Sequence, residues 1–295
     1  MMDFSTFSSP VLLRGDEVTA YRDPAVYYHD GIFHFFFTLV ETEADGRVFL
    51  YLANCASGDL KHFSPVRKLS PRDQAKNFSS PGNVVFFNDR FYLCCQTYCR
   101  ENGEKFGNAN SRIWLMESGD LINWSEPYLL KVKGNDTAFA DMGRMIDPYL
   151  VQNKDGEWYC FFKQKGVSFS RSRDLKNWEF CGNVPCGENV CIVPDGDLFR
   201  MWYSPRNGIG EMYSRDLLHW EDSGKIITLG QSMWRWAQGR LTAGMVLDLR
   251  NVPEIGKALM FFHGTGPEPE SVIFDQYGCI GFAWSSDLEN WDFVR

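Results

Sequence analysis

The chain has 295 residues, of which 44% are hydrophobic and 23% charged, and its formal net charge is −8. These values are typical of a globular protein with a large buried core. An acidic balance without basic runs argues against nucleic-acid and membrane-surface partners, because both require clustered Lys and Arg. The apolar runs are too short to cross a bilayer. The first residues do not have the pattern of a secretory signal, so a cytoplasmic location is expected.

From the N-terminus onward, the sequence consists of short β-rich runs joined by Asp-Gly, Asn-Asp and similar turns. This pattern is typical of antiparallel hairpins. No segment has a long helical period, so little helix is expected. The predicted strands lie at residues 7–14, 23–28, 32–38, 49–53, 83–87, 91–95, 125–131, 147–151, 158–163, 167–170, 190–193, 199–203, 212–213, 244–249 and 259–262.

The motif Ser-x-Asp-Leu-x-x-aromatic occurs five times, at residues 57–63, 118–124, 172–178, 214–220 and 285–291. Repetition on this scale indicates one supersecondary unit used several times. Five such units predict an all-β fold, a five-bladed β-propeller of four-stranded antiparallel blades that forms a single domain over residues 1–295. The motif is predicted to be the turn between the third and fourth strands. Its Asp would accept backbone hydrogen bonds, while Leu and Trp pack between blades.

The N-terminal segment is predicted to close the ring. Only four residues follow Trp291, too few for a fourth strand in the last blade. Residues 7–14 repeat the pattern that follows the motif aromatic in blade two. We therefore expect an N-terminal strand to join the last blade.

Three acidic residues mark the predicted starts of inner strands, namely Asp23, Asp147 and Glu188. In a propeller these strands line the central channel, so the three side chains are expected to converge at its mouth. Converging carboxylates repel one another, and at least one should have a raised pKa. Such a set suits paired acid and base chemistry on a glycosidic bond.

The order of these motifs resembles glycoside hydrolase family 43. Asp-Pro stands in blade one at 23–24, Ser-Pro in blade two at 80–81, and Ile-Asp-Pro in blade three at 146–148. In blade four a Glu is followed by Met-Trp-Tyr-Ser at 201–204. The chain is also similar to the wider five-bladed furanosidase superfamily, which contains families 32, 68, 117 and 130. The resemblance implies that Asp23 is the general base, that Asp147 sets the pKa and orientation of the acid, and that Glu188 is the general acid.

Six further residues are candidates for substrate binding: Arg22, Phe78, Ser80, Trp236, Arg240 and His263. Arg240 could grip the sugar or pair with Asp23 or Glu188. His263 could lie near a central ion or water, or be a hydrogen-bonded core residue. The resemblance implies that no cofactor is required and leaves room for a structural calcium ion in the channel.

The leading interpretation is an inverting, exo-acting glycosidase that releases a terminal pentose or furanose, such as arabinofuranose, xylose or galactofuranose, from an oligosaccharide. A second interpretation is a glycoside phosphorylase like family 130, with Arg22, Arg144 and Arg240 as a phosphate pocket. A third is a non-catalytic sugar-binding propeller or a scaffold. The sequence leaves the oligomeric state open.

Overall fold

The chain closes into a ring of five antiparallel sheets, as the repeats predict. The computed structural model describes residues 2–295. Strand β1 (Val11–Arg14) pairs with the last strand of blade five, which confirms the predicted closure. Closure of this kind removes an exposed sheet edge. Blade one then contains β2 (Thr19–His29), β3 (Ile32–Thr42), β4 (Val48–Ser57) and β5 (Arg67–Lys68).

The remaining blades follow in chain order, each running from the channel outward. Blade two has its inner strand divided into β6 (Phe78–Ser79) and β7 (Val84–Phe87), followed by β8 (Arg90–Thr97), β9 (Ile113–Ser118) and β10 (Tyr128–Leu129). Blade three contains β11 (Ile146–Gln152), β12 (Trp158–Lys163), β13 (Val167–Ser172) and β14 (Glu179–Val184). Blade four contains β15 (Glu188–Asp195), β16 (Leu198–Ser204), β17 (Ile209–Ser214) and β18 (Glu221–Ile227). Blade five contains β19 (Arg240–Leu249), β20 (Lys257–Thr265) and β21 (Cys279–Ser285).

Helix is scarce, as expected from the absence of a helical period. The described residues contain one short α-helix, α1 (Phe139–Met142), and 3₁₀ turns at Phe4–Thr6 and Arg235–Ala237. None of the helices within residues 2–295 is long and apolar enough to cross a membrane.

The five repeated motifs form the turns that follow the third strand of each blade. In the first copy, the Ser57 hydroxyl accepts the Leu60 N–H at 2.9 Å, and the Asp59 carboxylate accepts the N–H groups of Lys61 and His62. The hydrogen bond with the His62 side chain, followed by these backbone hydrogen bonds, lowers the Asp59 pKa. Each motif Leu is buried and has a left-handed backbone, with φ between 59° and 65°. The motif is therefore structural, as predicted.

The motif aromatics pack mainly between neighbouring blades. Trp124 contacts Phe36 edge-on, with ring centroids 5.4 Å apart, and Trp220 contacts Phe161 in the same way at 5.9 Å. In both pairs the second ring lies on the second strand of the preceding blade. Phe63 differs, because it contacts Phe35 of its own blade. Edge-to-face contacts of this kind add to the stabilisation from apolar burial.

Because consecutive strands of each blade are antiparallel, two sets of connecting segments lie at the same end of the ring. The start of each inner strand and the loop between the second and third strands of each blade share this end, which we call the cavity face. The motif turns lie at the opposite end. On the cavity face the loops of blades two and five are long, at residues 98–112 and 266–278, while those of blades three and four are short, at 164–166 and 205–208. The rim is therefore high on one side and low on the other.

Candidate functional site

Every inner strand bends at an equivalent position near the channel axis. The residues there have left-handed φ angles between 39° and 55°, and they are Asp23, Ser80, Asp147, Asn189 and Ala243. In blades one, three, four and five the strand pairing shifts register at this point, and in blade two the inner strand is interrupted. Bulges of this kind redirect side chains, and they recur near active sites.

The bend explains where the structure departs from the sequence expectation. Asp23 and Asp147 occupy equivalent positions, but Glu188 lies one residue earlier than its counterpart Asn189. Asp23 also lies inside β2, which begins at Thr19, and not at the start of the strand. The three acids therefore do not share one strand position, although they do line one cavity.

The cavity has a volume of about 380 Å³ and opens on the cavity face. Its walls include the three predicted acids together with Arg22, Arg240 and His263, all predicted from the sequence. Ser80 lines the adjoining axial channel and reaches the site through Asp147. The structure places Phe78 and Trp236 elsewhere. Phe78 is buried against Trp114, and Trp236 stacks against the rings of Trp234 and Phe262.

Asp147 is held in a buried polar network. Its Oδ1 accepts the Ser80 hydroxyl at 2.8 Å, and its backbone N–H donates to Oε1 of Gln96 at 2.6 Å. Burial raises the Asp147 pKa to about 7, and the negative charges of Glu188 and Asp23 add to this effect. This agrees with the expectation that one of the converging acids has a raised pKa.

Asp23 is fixed by blades one and five. Its Oδ2 accepts a hydrogen bond from the Thr38 hydroxyl at 2.9 Å, and the Thr38 hydroxyl oxygen in turn accepts the Ser80 N–H at 2.7 Å. The Asp23 backbone N–H donates to Nδ1 of His263 at 3.0 Å. His263 is therefore a hydrogen-bonded core residue whose proton lies on Nε2. Burial, followed by the nearby Arg22 charge, lowers the His263 pKa.

Glu188 is the most accessible of the three acids, with 28% of its side chain exposed. Its Oε1 lies 3.0 Å from Nη2 of Arg240, and its Oε2 lies 3.9 Å from Nζ of Lys163. The predicted pairing of Arg240 with Glu188 is thus observed.

Sequence reasoning missed Glu270, which lies in the 266–278 loop. Its carboxylate contacts both Arg22, at 2.6 Å, and Arg240. No strand position or repeat marks this residue, because it belongs to an irregular loop. An acidic residue in the long loop of blade five was the only available signal.

The two long loops meet above the cavity. Arg100 forms a two-pronged ion pair with Asp275, at 2.8 and 2.9 Å, which joins the 98–112 loop to the 266–278 loop. Phe274 packs edge-on against Phe106 and lies 4.1 Å from the Arg22 guanidinium. The loops therefore wall the cavity on the side of blades two and five.

The described residues contain no group of three or more His, Cys, Asp or Glu side chains arranged to hold a metal ion.

Solved structures similar to this chain share its fold at low sequence identity. A thermostable family-43 glycoside hydrolase has a TM-score of 0.66 at 16% identity, covering 98% of this chain and 96% of its own. A family 117 glycoside hydrolase from the marine bacterium Zobellia galactanivorans has a TM-score of 0.67 at 14% identity, covering 94% and 88%. The catalytic domain of the Coprinopsis cinerea GH62 α-L-arabinofuranosidase has a TM-score of 0.65 at 13% identity, covering 90% of each chain.

No curated protein matches the chain. A family match exists at the level of sequence: glycosyl hydrolases family 32, N-terminal domain, matches residues 21–201, which is more than half of the chain. That span includes the three predicted acids, Asp23, Asp147 and Glu188. The five-bladed ring and the carboxylate-lined cavity agree with the match, and the chain therefore belongs to the glycosyl hydrolase family 32 N-terminal domain family and is a glycosidase.

Proposed function

We propose that the chain is an inverting, exo-acting glycosidase that removes a terminal pentose or furanose, such as arabinofuranose, xylose or galactofuranose, from an oligosaccharide. The observation that carries the proposal is the convergence of Asp23, Asp147 and Glu188 on one cavity of about 380 Å³. A pocket of this size accommodates one sugar unit and part of its leaving group.

In the proposed reaction Asp23 takes a proton from water, and the water oxygen bonds to the anomeric carbon as the glycosidic bond breaks. Glu188 gives its proton to the departing oxygen. The Thr38 hydroxyl donates to Oδ2 of Asp23 and holds the carboxylate in place. Asp147 is buried beside Glu188, and its negative charge sets the pKa and orientation of the general acid.

Exo-action is supported by the asymmetric rim. The joined 98–112 and 266–278 loops block one side of the cavity through the Arg100–Asp275 pair. A chain end can enter from the low side at blades three and four, beside Glu188 and Lys163. A long polymer could not lie across the closed side. The proteins of similar structure include an α-L-arabinofuranosidase and an exo-1,5-α-L-arabinanase, which also supports a furanose substrate.

Phosphorolysis is a second candidate, and one observation favours it. Arg144 lines the cavity and forms no ion pair with a carboxylate among residues 2–295. Arg22 and Arg240, by contrast, are both engaged by Glu270. Only one of the three arginines is thus free to bind phosphate, and hydrolysis remains the preferred reaction.

The test is a panel of nitrophenyl arabinofuranosides, xylosides and galactofuranosides, assayed with and without phosphate. We expect phosphate-independent release of nitrophenol, which Asp23→Asn and Glu188→Gln each reduce by at least about a hundredfold. Asp30→Asn is the matched control for Asp23→Asn, because Asp30 has the same φ of 48° and lies exposed beyond the far end of β2. Glu221→Gln, an exposed residue of the same blade, is the control for Glu188→Gln.

The stereochemistry is tested by proton NMR of the first sugar released. Inversion requires an anomer opposite to that of the substrate. A retained anomer would make Asp23 a nucleophile and would overturn the inverting assignment. Full activity in both acid variants would overturn the site.

A further inference from the structure

Glu270 bridges two arginines that reach the cavity from different blades. Its Oε1 contacts Nη2 of Arg22 in blade one at 2.6 Å, and its Oε2 contacts Nη1 of Arg240 in blade five. Only 10% of the Glu270 side chain is exposed. Ion pairs in such a setting are screened little by solvent, so they affect neighbouring charges strongly.

The Arg240 guanidinium is divided between two carboxylates. Its Nη1 contacts Glu270, while its Nη2 lies 3.0 Å from Oε1 of Glu188. The chain of charges thus runs from Arg22 through Glu270 and Arg240 to Glu188. One arginine serves both the proposed acid and a second, non-reacting carboxylate.

Glu270 itself is unsuited to proton transfer. Burial acts to raise the Glu270 pKa, but the charge of Arg22, the nearby His263 side chain and the charge of Arg240 together hold this pKa far below its usual range. Its carboxylate therefore stays ionised at neutral pH. A constant negative charge beside Arg240 is what it contributes to the site.

We propose that Glu270 is a positioning residue that holds Arg240 between two carboxylates and so keeps Glu188 protonated to higher pH. The proposal rests on the proposed function, because it assigns Glu188 the role of general acid. A general acid works only in its protonated form, and a cation paired with it alone favours the ionised form. By drawing Arg240 toward itself and adding a negative charge, Glu270 opposes that effect.

Four other ionisable groups lie near the Glu188 and Glu270 carboxylates. Lys163 faces Glu188 from β12 at 3.9 Å, and the buried Asp147 interacts with it from β11. His263 faces Glu270 from β20, with its Nε2 3.6 Å from Oε1. Arg22 faces Glu270 from β2, next to Asp23. Each of these groups remains in a Glu270 variant, so a change in pH dependence can be assigned to the missing charge.

The test compares the pH profiles of kcat/KM for the wild type, Glu270→Gln and Glu270→Asp between pH 5 and 9. The alkaline limb reports the ionisation of the acid in the free enzyme. We expect Glu270→Gln to move this limb to lower pH by about one unit, the ordinary size of a neighbouring-charge effect. Glu270→Asp keeps the charge and should leave the limb close to its wild-type position.

Two controls separate charge from loop structure. Asp275→Asn breaks the ion pair with Arg100 in the same loop but changes no charge that contacts Arg240. The alkaline limb of this variant should therefore stay at its wild-type position even if KM rises. Arg240→Gln should have the opposite effect, because it removes the cation that contacts Glu188. The alkaline limb of this variant should move to higher pH. This variant also keeps the proposal testable if Glu270→Gln, with two unpaired arginines, fails to fold.

An unmoved alkaline limb in Glu270→Gln, or in Arg240→Gln, would overturn the inference. The outcome differs from failure of the proposed function, which would appear as full activity in Glu188→Gln. An inactive Glu188→Gln enzyme combined with an unmoved limb in the Glu270→Gln variant would remove only the role of Glu270.

Discussion

The Ser80 hydroxyl donates a hydrogen bond of 2.8 Å to Oδ1 of Asp147, although the two residues belong to different blades. Both lie at the bend of their inner strands, with φ angles of 39° and 52°. The bend turns Ser80 toward the axis, where the neighbouring blade presents its acid. One equivalent backbone feature, repeated around the ring, thus assembles a network that no single blade contains.

This contact predicts the effect of Ser80→Ala. The hydroxyl stabilises the ionised form of Asp147, so its loss should raise the Asp147 pKa further. A hydrogen bond of this kind contributes about 1 kcal/mol, and we expect kcat/KM at pH 7 to fall about fivefold. Ser80→Gly should give the same loss, because it removes the hydroxyl and accepts the left-handed backbone more easily. An unchanged pH profile in both variants would contradict the role assigned to this contact.

Asp147→Asn should stabilise the protein at alkaline pH while lowering its activity. The folded-state pKa of Asp147 is about 7, whereas an unfolded Asp has a pKa of about 3.9. Between these values the folded protein binds a proton that the unfolded chain has released, so the free energy of unfolding falls as pH rises. Asn carries no such charge, and we expect a gain of about 1–2 kcal/mol at pH 8.

The measurement is urea unfolding of Asp147→Asn and of the wild type at pH 5 and pH 8. The difference between the two proteins should be larger at pH 8. An equal difference at both pH values would mean that Asp147 does not carry a raised pKa. A variant that is more stable but less active than the wild type would show that the buried Asp147 carboxyl lowers stability while it supports activity.

His263→Phe should remove a pH-dependent part of the stability. Burial and the Arg22 charge lower the His263 pKa in the folded state. As pH falls below about 6.5, the unfolded chain takes up a proton that the folded protein does not, so the wild type loses stability. The variant should lack this loss, and it should also be about 1–3 kcal/mol less stable at pH 8, because the Asp23 N–H loses its acceptor.

Thermal unfolding between pH 5 and 8 tests the His263 prediction. His263→Asn is the informative partner, because its side-chain oxygen can accept the Asp23 N–H but does not titrate in this range. We expect His263→Asn to recover part of the stability at pH 8 without the wild-type loss at low pH. Parallel pH curves for all three proteins would refute the prediction.

Trp178→Ala should destabilise the protein by about 3–5 kcal/mol. Trp178 is 5% exposed, and its indole N–H donates to the Leu175 carbonyl at 3.1 Å. Its ring belongs to the core shared by blades two and three. Chemical unfolding gives the change in free energy, and Trp220→Ala, at a half-buried equivalent position, should cost less. A change near zero in Trp178→Ala would contradict its place in the core.

Much of the fold could be read from local patterns. The Ser-x-Asp-Leu motif specifies a turn through contacts within four residues, such as the 2.9 Å bond from the Leu121 N–H to Ser118. The copy at residues 7–14 predicted that β1 joins β21, because the fourth strand is the missing part of the last blade. Repeats can be recognised in a sequence because each structural unit needs similar residues at equivalent positions.

The residues of the site could be predicted only in part from the sequence. Asp23, Asp147 and Arg240 reach the cavity as expected, since they lie on the inner strands near the end that faces the cavity. Phe78 does not line it, because its strand position directs the ring into the blade core against Trp114. An aromatic residue beside a candidate site cannot be assigned to sugar or to core until the direction of its side chain is known.

Short-range turn and strand chemistry, repeated along the chain, was enough to predict the number of blades, the closing strand and the acids carried by the inner strands. The folded structure was needed to show that Glu188 stands one residue away from the equivalent position, and that Glu270 meets Arg22 across a separation of 248 residues. The position of Glu270 could not be predicted, because an irregular loop is placed by contacts with distant segments. Such contacts leave no period or motif in the chain.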